Sequence, residues 1–179
     1  MKFSKTPFVT VMIRYGSICG FLSALLVVAI YYMGQHPMLI QPYFDYRILL
    51  FSLFIFFGLK EFREYHQGGV LYFWQGMIGS YLIIFIASLV GSLGMFLFAV
   101  LEPRFVGDYI EVMMQSLKSF TPEQIKQVGK DVYDSNLQSI PSTNGWILAV
   151  TYFTHGIIYG LFISIILSVI LRKQPKTTL

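Results

Sequence analysis

Two apolar stretches of unequal length bracket a short charged island, and the hydrophobic and polar positions of the whole chain arrange themselves around it. From Ile48 to Leu59 there is no charge, and from Val70 to Leu101 there is none over 32 residues, whereas Lys60, Glu61, Arg63 and Glu64 crowd the segment between. At about 1.5 Å per helical residue the second stretch is roughly 48 Å long, more than a hydrocarbon core of roughly 30 Å. The island therefore reads as the turn of a membrane hairpin. Lys60 and Glu64 stand four apart on one helical face, and Gly68-Gly69 supplies the permissive backbone of the reversal.

Extended along the chain, the pattern predicts an all-α protein with four transmembrane helices, at about 15–33, 42–60, 73–101 and 146–171. Met1 to Arg14 carries Lys2, Lys5 and Arg14 against no acid, like the start of a signal peptide. The 19-residue run from Tyr15 to Met33 outlasts a usual signal core, and Tyr31 to Gln35 offers no small-x-small cleavage site, so it reads as a retained span. The second span has only twelve uncharged residues, or roughly 18 Å, and must extend outward through Tyr43 to Arg47. Pro42 suits its first turn, Asp45 meets the positive end of the helix dipole, and Arg47 snorkels outward above a tyrosine belt. Two positions apart, Asp45 and Arg47 do not share a helix face. Trp74 opens the third span at the inner interface, and Glu102-Pro103-Arg104 closes it. The fourth runs from Trp146 to Leu171, before Arg172, Lys173 and Lys176.

Between the last two spans lies a polar insertion, 102–145. Val106, Tyr109, Ile110, Met113, Leu117 and Phe120 keep a helical period. Thr121-Pro122-Glu123-Gln124 is a capping box with proline at the first position, a strong helix start. The helix it opens carries Ile125, Val128 and Val132 on one side and ends before Asn136, with Gly129 weakening its middle. The expectation is a two-helix cap whose apolar stripes close on each other, on the membrane surface or on a partner, with Met113 and Met114 suited to an adaptable surface.

Small residues recur at helical spacing on three of the spans: Gly16, Gly20 and Ala24; Gly76, Ser80, Ala87 and Gly91; Gly156, Gly160, Ser164 and Ser168. Each stripe lets a neighbouring backbone approach closely.

Composition agrees with a polytopic membrane protein forming a single domain over 1–179: 55% of residues are hydrophobic, 12% are charged and the mean hydropathy is +0.64. The net charge of +4 sits at span ends and marks orientation and not a nucleic-acid surface. Cys19 is alone and forms no internal disulfide. The N-terminus, the 58–76 turn and the C-terminus hold eight cations against Glu61 and Glu64, while the opposite side holds five cations against seven acids. Both termini are then cytoplasmic.

Candidate chemistry centres on His155, nine residues and roughly 13 Å below Trp146, with Thr151 and Tyr159 on its face. An ionisable side chain near the bilayer middle is a functional candidate; the alternative is a neutral imidazole bonded to Thr151, Tyr159, Ser88 or Ser92. Asp45 should differ from it in depth by about 10 Å, which leaves His155 no carboxylate for a proton relay. His36, His66 and His155 fall in the outer loop, the inner turn and the membrane interior, so no metal site or other cofactor is expected. No carboxylate, cysteine nucleophile or metal cluster accompanies His155, which argues against an enzyme.

The order of elements, with Phe57 to Gly76 after the second span, resembles a bacterial domain-of-unknown-function family of small four-helix membrane proteins. That family shows a Gly-Ile-Lys-x-x-Arg-like stretch, then Gly-Gly, then an aromatic-x-Gln segment. The matching positions here are Gly58, Lys60, Arg63, Gly68, Gly69, Phe73 and Gln75, with Leu59 for the isoleucine and Trp74 where a small residue is commoner. The resemblance implies a bacterial inner-membrane location with a periplasmic cap, and it implies no activity. Two function classes follow: a non-catalytic membrane component that contacts lipid and docks a membrane or periplasmic protein, or a copy of itself, and a small transporter or channel subunit using His155.

Overall fold

A chain this apolar satisfies its backbone N–H and C=O groups within helices wherever lipid would otherwise surround them. The computed structural model describes residues 5–41 and 44–174, and among these every long element is an α-helix. The helices are α1 (Lys5–Tyr32), α2 (Tyr46–Glu61), α3 (Phe73–Leu101), α4 (Arg104–Lys118), α5 (Pro122–Val128), α6 (Lys130–Ser139) and α7 (Gly145–Leu171). Pro42, Tyr43, Lys2 and Lys176 lie outside the described residues.

Among the described residues, three helices are long and apolar enough to cross a membrane: α1 over Pro7–Tyr32, α3 and α7. The first of these begins as helix at Lys5, earlier than the expected Tyr15, because Arg14 does not end it; its guanidinium reaches across to Glu61, which also accepts from the Tyr15 hydroxyl at 2.8 Å. Helix α2, with 16 residues and about 24 Å of rise, is shorter than a hydrocarbon core. It begins at Tyr46 because Asp45 caps it, accepting from the Arg47 amide.

Helix α3 is the centre of the bundle, with α1 and α7 packed along it and α2 packed against all three. The small-residue stripes set the register. A Cβ on Gly20 would sit 2.6 Å from Val90 Cβ and 2.7 Å from the Ala87 carbonyl oxygen, and one on Gly16 would sit 2.8 Å from Ile86 Cβ. Every fourth residue up α1 thus meets every fourth residue up α3. On the other flank Gly76 faces Ser168, Ile84 faces Gly160, Ser88 faces Gly156 and Ala99 faces Gly145. Steps of four up α3 are matched by steps of four down α7, the ridges-into-grooves contact of two i±4 rows, and this register brings Ser80 level with Ser164. Gly91 lies against Tyr152, and Ala87 is buried. Phe51, Ile55, Leu59 and Phe62 of the second helix and its extension fill the core at one end, together with Met12, Ile83 and Leu71. Val27, Met95, Phe98, Phe105, Leu148 and Tyr152 fill it at the other.

The charged island is more structured than a solvated turn. Phe62–His66 continues α2 as a π-helical turn, which breaks the i,i+4 spacing: Glu64 pairs with Arg63 at 3.2 Å and not with Lys60. Gly68 and Gly69 have φ of 57° and 83°, the left-handed conformation that the reversal demands and that side chains oppose. Beyond them, Leu71 and Lys173 exchange two backbone hydrogen bonds of 2.9 Å, and Arg63 Nη1 donates to the Leu171 carbonyl at the end of α7. The C-terminal end of α7 is thereby clipped to this turn. Gln75, buried, caps α3 by accepting from the Tyr72 amide, and Gly58 packs against Tyr15 and Ile83.

Three helices, not two, make up the insertion. Helix α4 buries Leu117 of the predicted stripe and Phe105, which the stripe leaves out, while Val106, Tyr109, Ile110 and Met113 are half-buried. The Thr121 box forms, with Gln124 N–H bonded to Thr121 Oγ1 and Gln124 Oε1 accepting from the Thr121 amide. Gly129, at φ 95°, then ends α5, and the expected single helix restarts as α6 and runs on to Ser139. Neither short helix buries a residue; Val128 and Val132 are about half exposed.

Candidate functional site

The start of α2 builds the most polar constellation inside the bundle. Asp45 holds extended backbone dihedrals as the N-cap, so its carboxylate turns back over the first turn and not along the helix face. There its Oδ1 accepts from the Arg47 backbone N–H at 2.9 Å and from Arg47 Nε at 2.8 Å, while Oδ2 accepts from Nε at 3.0 Å and from Nη2. Arg47 does not snorkel outward; it is only 5% exposed. Its Nη1 donates to the Tyr152 carbonyl of α7 at 2.8 Å, and the guanidinium lies 4.2 Å from the Tyr152 ring centroid and 5.3 Å from that of Tyr159. Tyr46 and Tyr152 share a hydroxyl–hydroxyl bond of 2.9 Å. Two buried charges are tolerated because each satisfies the other and the aromatic faces stabilise the cation.

This corrects two expectations. Sequence spacing puts Asp45 and Arg47 on different faces, and Asp45 at a depth about 10 Å from His155. Instead Asp45, Arg47, His155 and Tyr159 line one cavity of about 330 Å³, walled on its other side by Pro37 to Gln41. The face rule applies between residues inside a helix, whereas Asp45 stands before it. The sequence places Asp45 at the outer boundary of the second span, whereas the start of α2 lies beside Tyr152 of α7.

Around His155, Tyr159 is the near neighbour, with ring centroids 6.0 Å apart. Thr151 is half-buried and is not among the cavity-lining residues. Neither serine expected as a partner reaches His155: Ser92 Oγ donates to the Leu89 carbonyl, and Ser88 Oγ, unpartnered among the described residues, lies against Gly156. Of the remaining histidines, His66 stacks on Phe62 in the π-turn, and no cluster of three or more metal-ligating side chains occurs among the described residues.

His36, which the sequence places in the outer loop with no further role, is built into the structure there. Its ring stacks on Phe105 at 4.5 Å, Nε2 lies 3.0 Å from the Phe105 carbonyl oxygen, and Nδ1 accepts from the Met38 amide at 3.3 Å. Nε2 is therefore the protonated nitrogen. Burial lowers the His36 pKa, opposed by the Phe105 carbonyl and by Asp108. The residue ties α4 to the loop that walls the cavity, and Tyr31 adds a 2.7 Å hydroxyl bond to Asp108. The available sequence signal was His-Pro, a capping side chain before a proline-led turn.

Comparison with curated proteins and with solved structures returns no match. Residues 14–173, nearly the whole chain, match the family described as protein of unknown function (DUF4199), and the chain belongs to that family.

Proposed function

We propose that this protein is a four-span component of a bacterial inner membrane, with both termini cytoplasmic and the α4–α6 cap periplasmic, whose work is to dock a partner protein and not to catalyse a reaction. The fourth span is α2 together with its π-helical extension: Tyr46 to His66 covers about 30 Å if each residue rises as in a helix. The orientation rests on the clip between Leu71 and Lys173, which gathers Lys60, Arg63, Arg172 and Lys173 at one end, the side where cations are retained. One observation carries the docking reading: α1, α3 and α7 close on each other through interlocked small residues, while the α5–α6 hairpin buries none of its own residues and presents Val128 and Val132 outward. The test is a photocrosslinking amino acid at Val132, with one at lipid-facing Val169 as control, in native membranes. The docking reading expects a discrete adduct from Val132 absent from Val169; an adduct of the chain with itself makes the partner a second copy. No specific adduct at Val132 would count against it.

A transport reading is favoured by one observation, the presence of His155 in the same cavity as Asp45 and Arg47.

A further inference from the structure

We propose that the cavity between α2, α7 and the Pro37–Gln41 loop binds the oxygens of a phosphate ester through Arg47, His155 and Tyr159. A guanidinium carries five N–H donors. Arg47 uses one from Nε and one from Nη2 on Asp45, and one from Nη1 on the Tyr152 carbonyl, so two remain. His155 and Tyr159 make no hydrogen bond to another described residue, and both line the same space. The acceptor side is already consumed: each Asp45 oxygen takes two bonds from Arg47. Side chains with donors unspent and a carboxylate fully occupied are the complement of a group that only accepts.

Phosphate matches the arrangement better than carboxylate. Donors come from three separate side chains on two helices, and a phosphate monoester presents three acceptor oxygens where a carboxylate presents two. The Nε–Nη2 edge of Arg47 is taken by Asp45, so the phosphate oxygens meet the one remaining N–H on Nη1 and the one on Nη2, charge-assisted donors to an anion. Held by Asp45 and flanked by Tyr152 and Tyr159, the guanidinium is fixed before a ligand arrives, which removes the ordering cost of binding. The volume, about 330 Å³, is at the small end of ligand pockets, roughly 300–1,000 Å³, and suits a headgroup more than a large solute. Met38, Leu39 and Ile40 give the opposite wall an apolar surface for the rest of the molecule. The phosphate belongs either to a membrane phospholipid or to a soluble ester. This site goes beyond the docking reading and depends neither on a protein partner nor on the orientation in the membrane.

The experiment uses the full chain with two probes. Retention of phosphatidic acid, whose headgroup is a phosphate monoester, is measured by native mass spectrometry after detergent exchange, and inorganic phosphate by thermal shift. Arg47 is left intact because the fold leans on it; the variant is Tyr159→Phe with His155→Leu, which deletes two donors and keeps the ring over Arg47. At least one probe should bind the wild type, with affinity about tenfold weaker in the variant. Lipid retention with phosphate silent assigns a headgroup, and phosphate binding without lipid retention assigns a soluble ester. If neither probe binds, or if wild type and variant bind alike while both remain folded, the proposal is overturned.

Discussion

Asp45 and Arg47, two residues apart, form a buried ion pair in which the carboxylate simultaneously caps α2 and grips the guanidinium that bridges to α7. The pair joins the two helices more than it adds stability, since a buried ion pair often does no better than apolar replacements. Removing one member is another matter. Asp45→Asn keeps a capping oxygen but leaves Arg47 uncompensated, and should cost on the order of 3–5 kcal/mol. Asn with Arg47→Met should recover much of that loss. Denaturation of the two single variants and the double variant in detergent checks it; strictly additive losses would show that the two side chains are not coupled.

The glycine stripes predict a graded response. Gly20→Ala drives a methyl group against the Ala87 carbonyl, which belongs to a helix backbone and cannot move aside, and should cost about 1–3 kcal/mol. Gly160→Ala meets Cγ2, Cδ1 and Cγ1 of Ile84, so Ile84→Ala introduced with it, which removes all three atoms, should restore part of the loss. Gly107→Ala, with nothing within 4 Å, should be neutral or stabilising by up to about 1 kcal/mol. Equal melting shifts for Gly20→Ala and Gly107→Ala would rule out the α1–α3 contact as described.

What could be read in advance was whatever a membrane imposes on single helices. The lengths of α3 and α7 follow from uncharged runs, and Gly156, Gly160, Ser164 and Ser168 announce a packed face by spacing alone. The Thr121 box likewise fixes the start of α5 because its partners are three residues apart. Asp45 with Arg47 was hidden because the position of a helix start decides whether two residues two apart diverge or fold together. Gly129 was seen as a weak point, but whether a weak point breaks depends on packing, and α5 and α6 bury nothing that would hold one helix straight. Lys60 with Glu64 failed because the π-helical turn changes the residue count per turn.

Orientation can be checked by thiol labelling. Gln67 is buried, so Tyr65, 79% exposed in the π-turn, is the better inner reporter. A cysteine at Gln127 in the cap should react with an impermeant maleimide in intact cells, and one at Tyr65 only after the membrane is opened. Cys19 is fully buried and supplies a silent background. The opposite labelling order would invert the topology.

His36 makes the outer end sensitive to acid. Its pKa is lowered in the fold, so the folded state prefers the neutral ring, and stability from this group is complete above the ordinary imidazole value of about 6.5 and declines as the pH falls through the lowered one. Protonation puts a hydrogen on Nδ1, where the Met38 amide now donates. Asp108, hydrogen-bonded to Tyr31, softens the effect, and the Tyr109 ring 5.4 Å away adds no charge. The protection factor of the Met38 amide, its exchange rate relative to the intrinsic rate at each pH, should fall below about pH 6.5 in the wild type. In His36→Gln the exchange should lose that inflection, and an unchanged inflection would place the titrating group elsewhere.

His155 decides between the docking and transport readings. Its ring makes no hydrogen bond to another described residue, so replacing it by glutamine, which can donate and accept, removes little that holds the fold together. Thermal stability of His155→Gln should therefore stay within about 1 kcal/mol of the wild type. A docking component keeps its phenotype with this substitution, because the cap and the inner turn are untouched. A transporter that passes a proton through His155 loses function, since an amide takes up no proton near neutral pH. The expected outcome is a stable protein that still complements a deletion strain. A variant equally stable yet inactive, with its Val132 adduct intact and its retention of phosphate or lipid unchanged, would shift the assignment to transport, because a titrating His155 then separates those measurements.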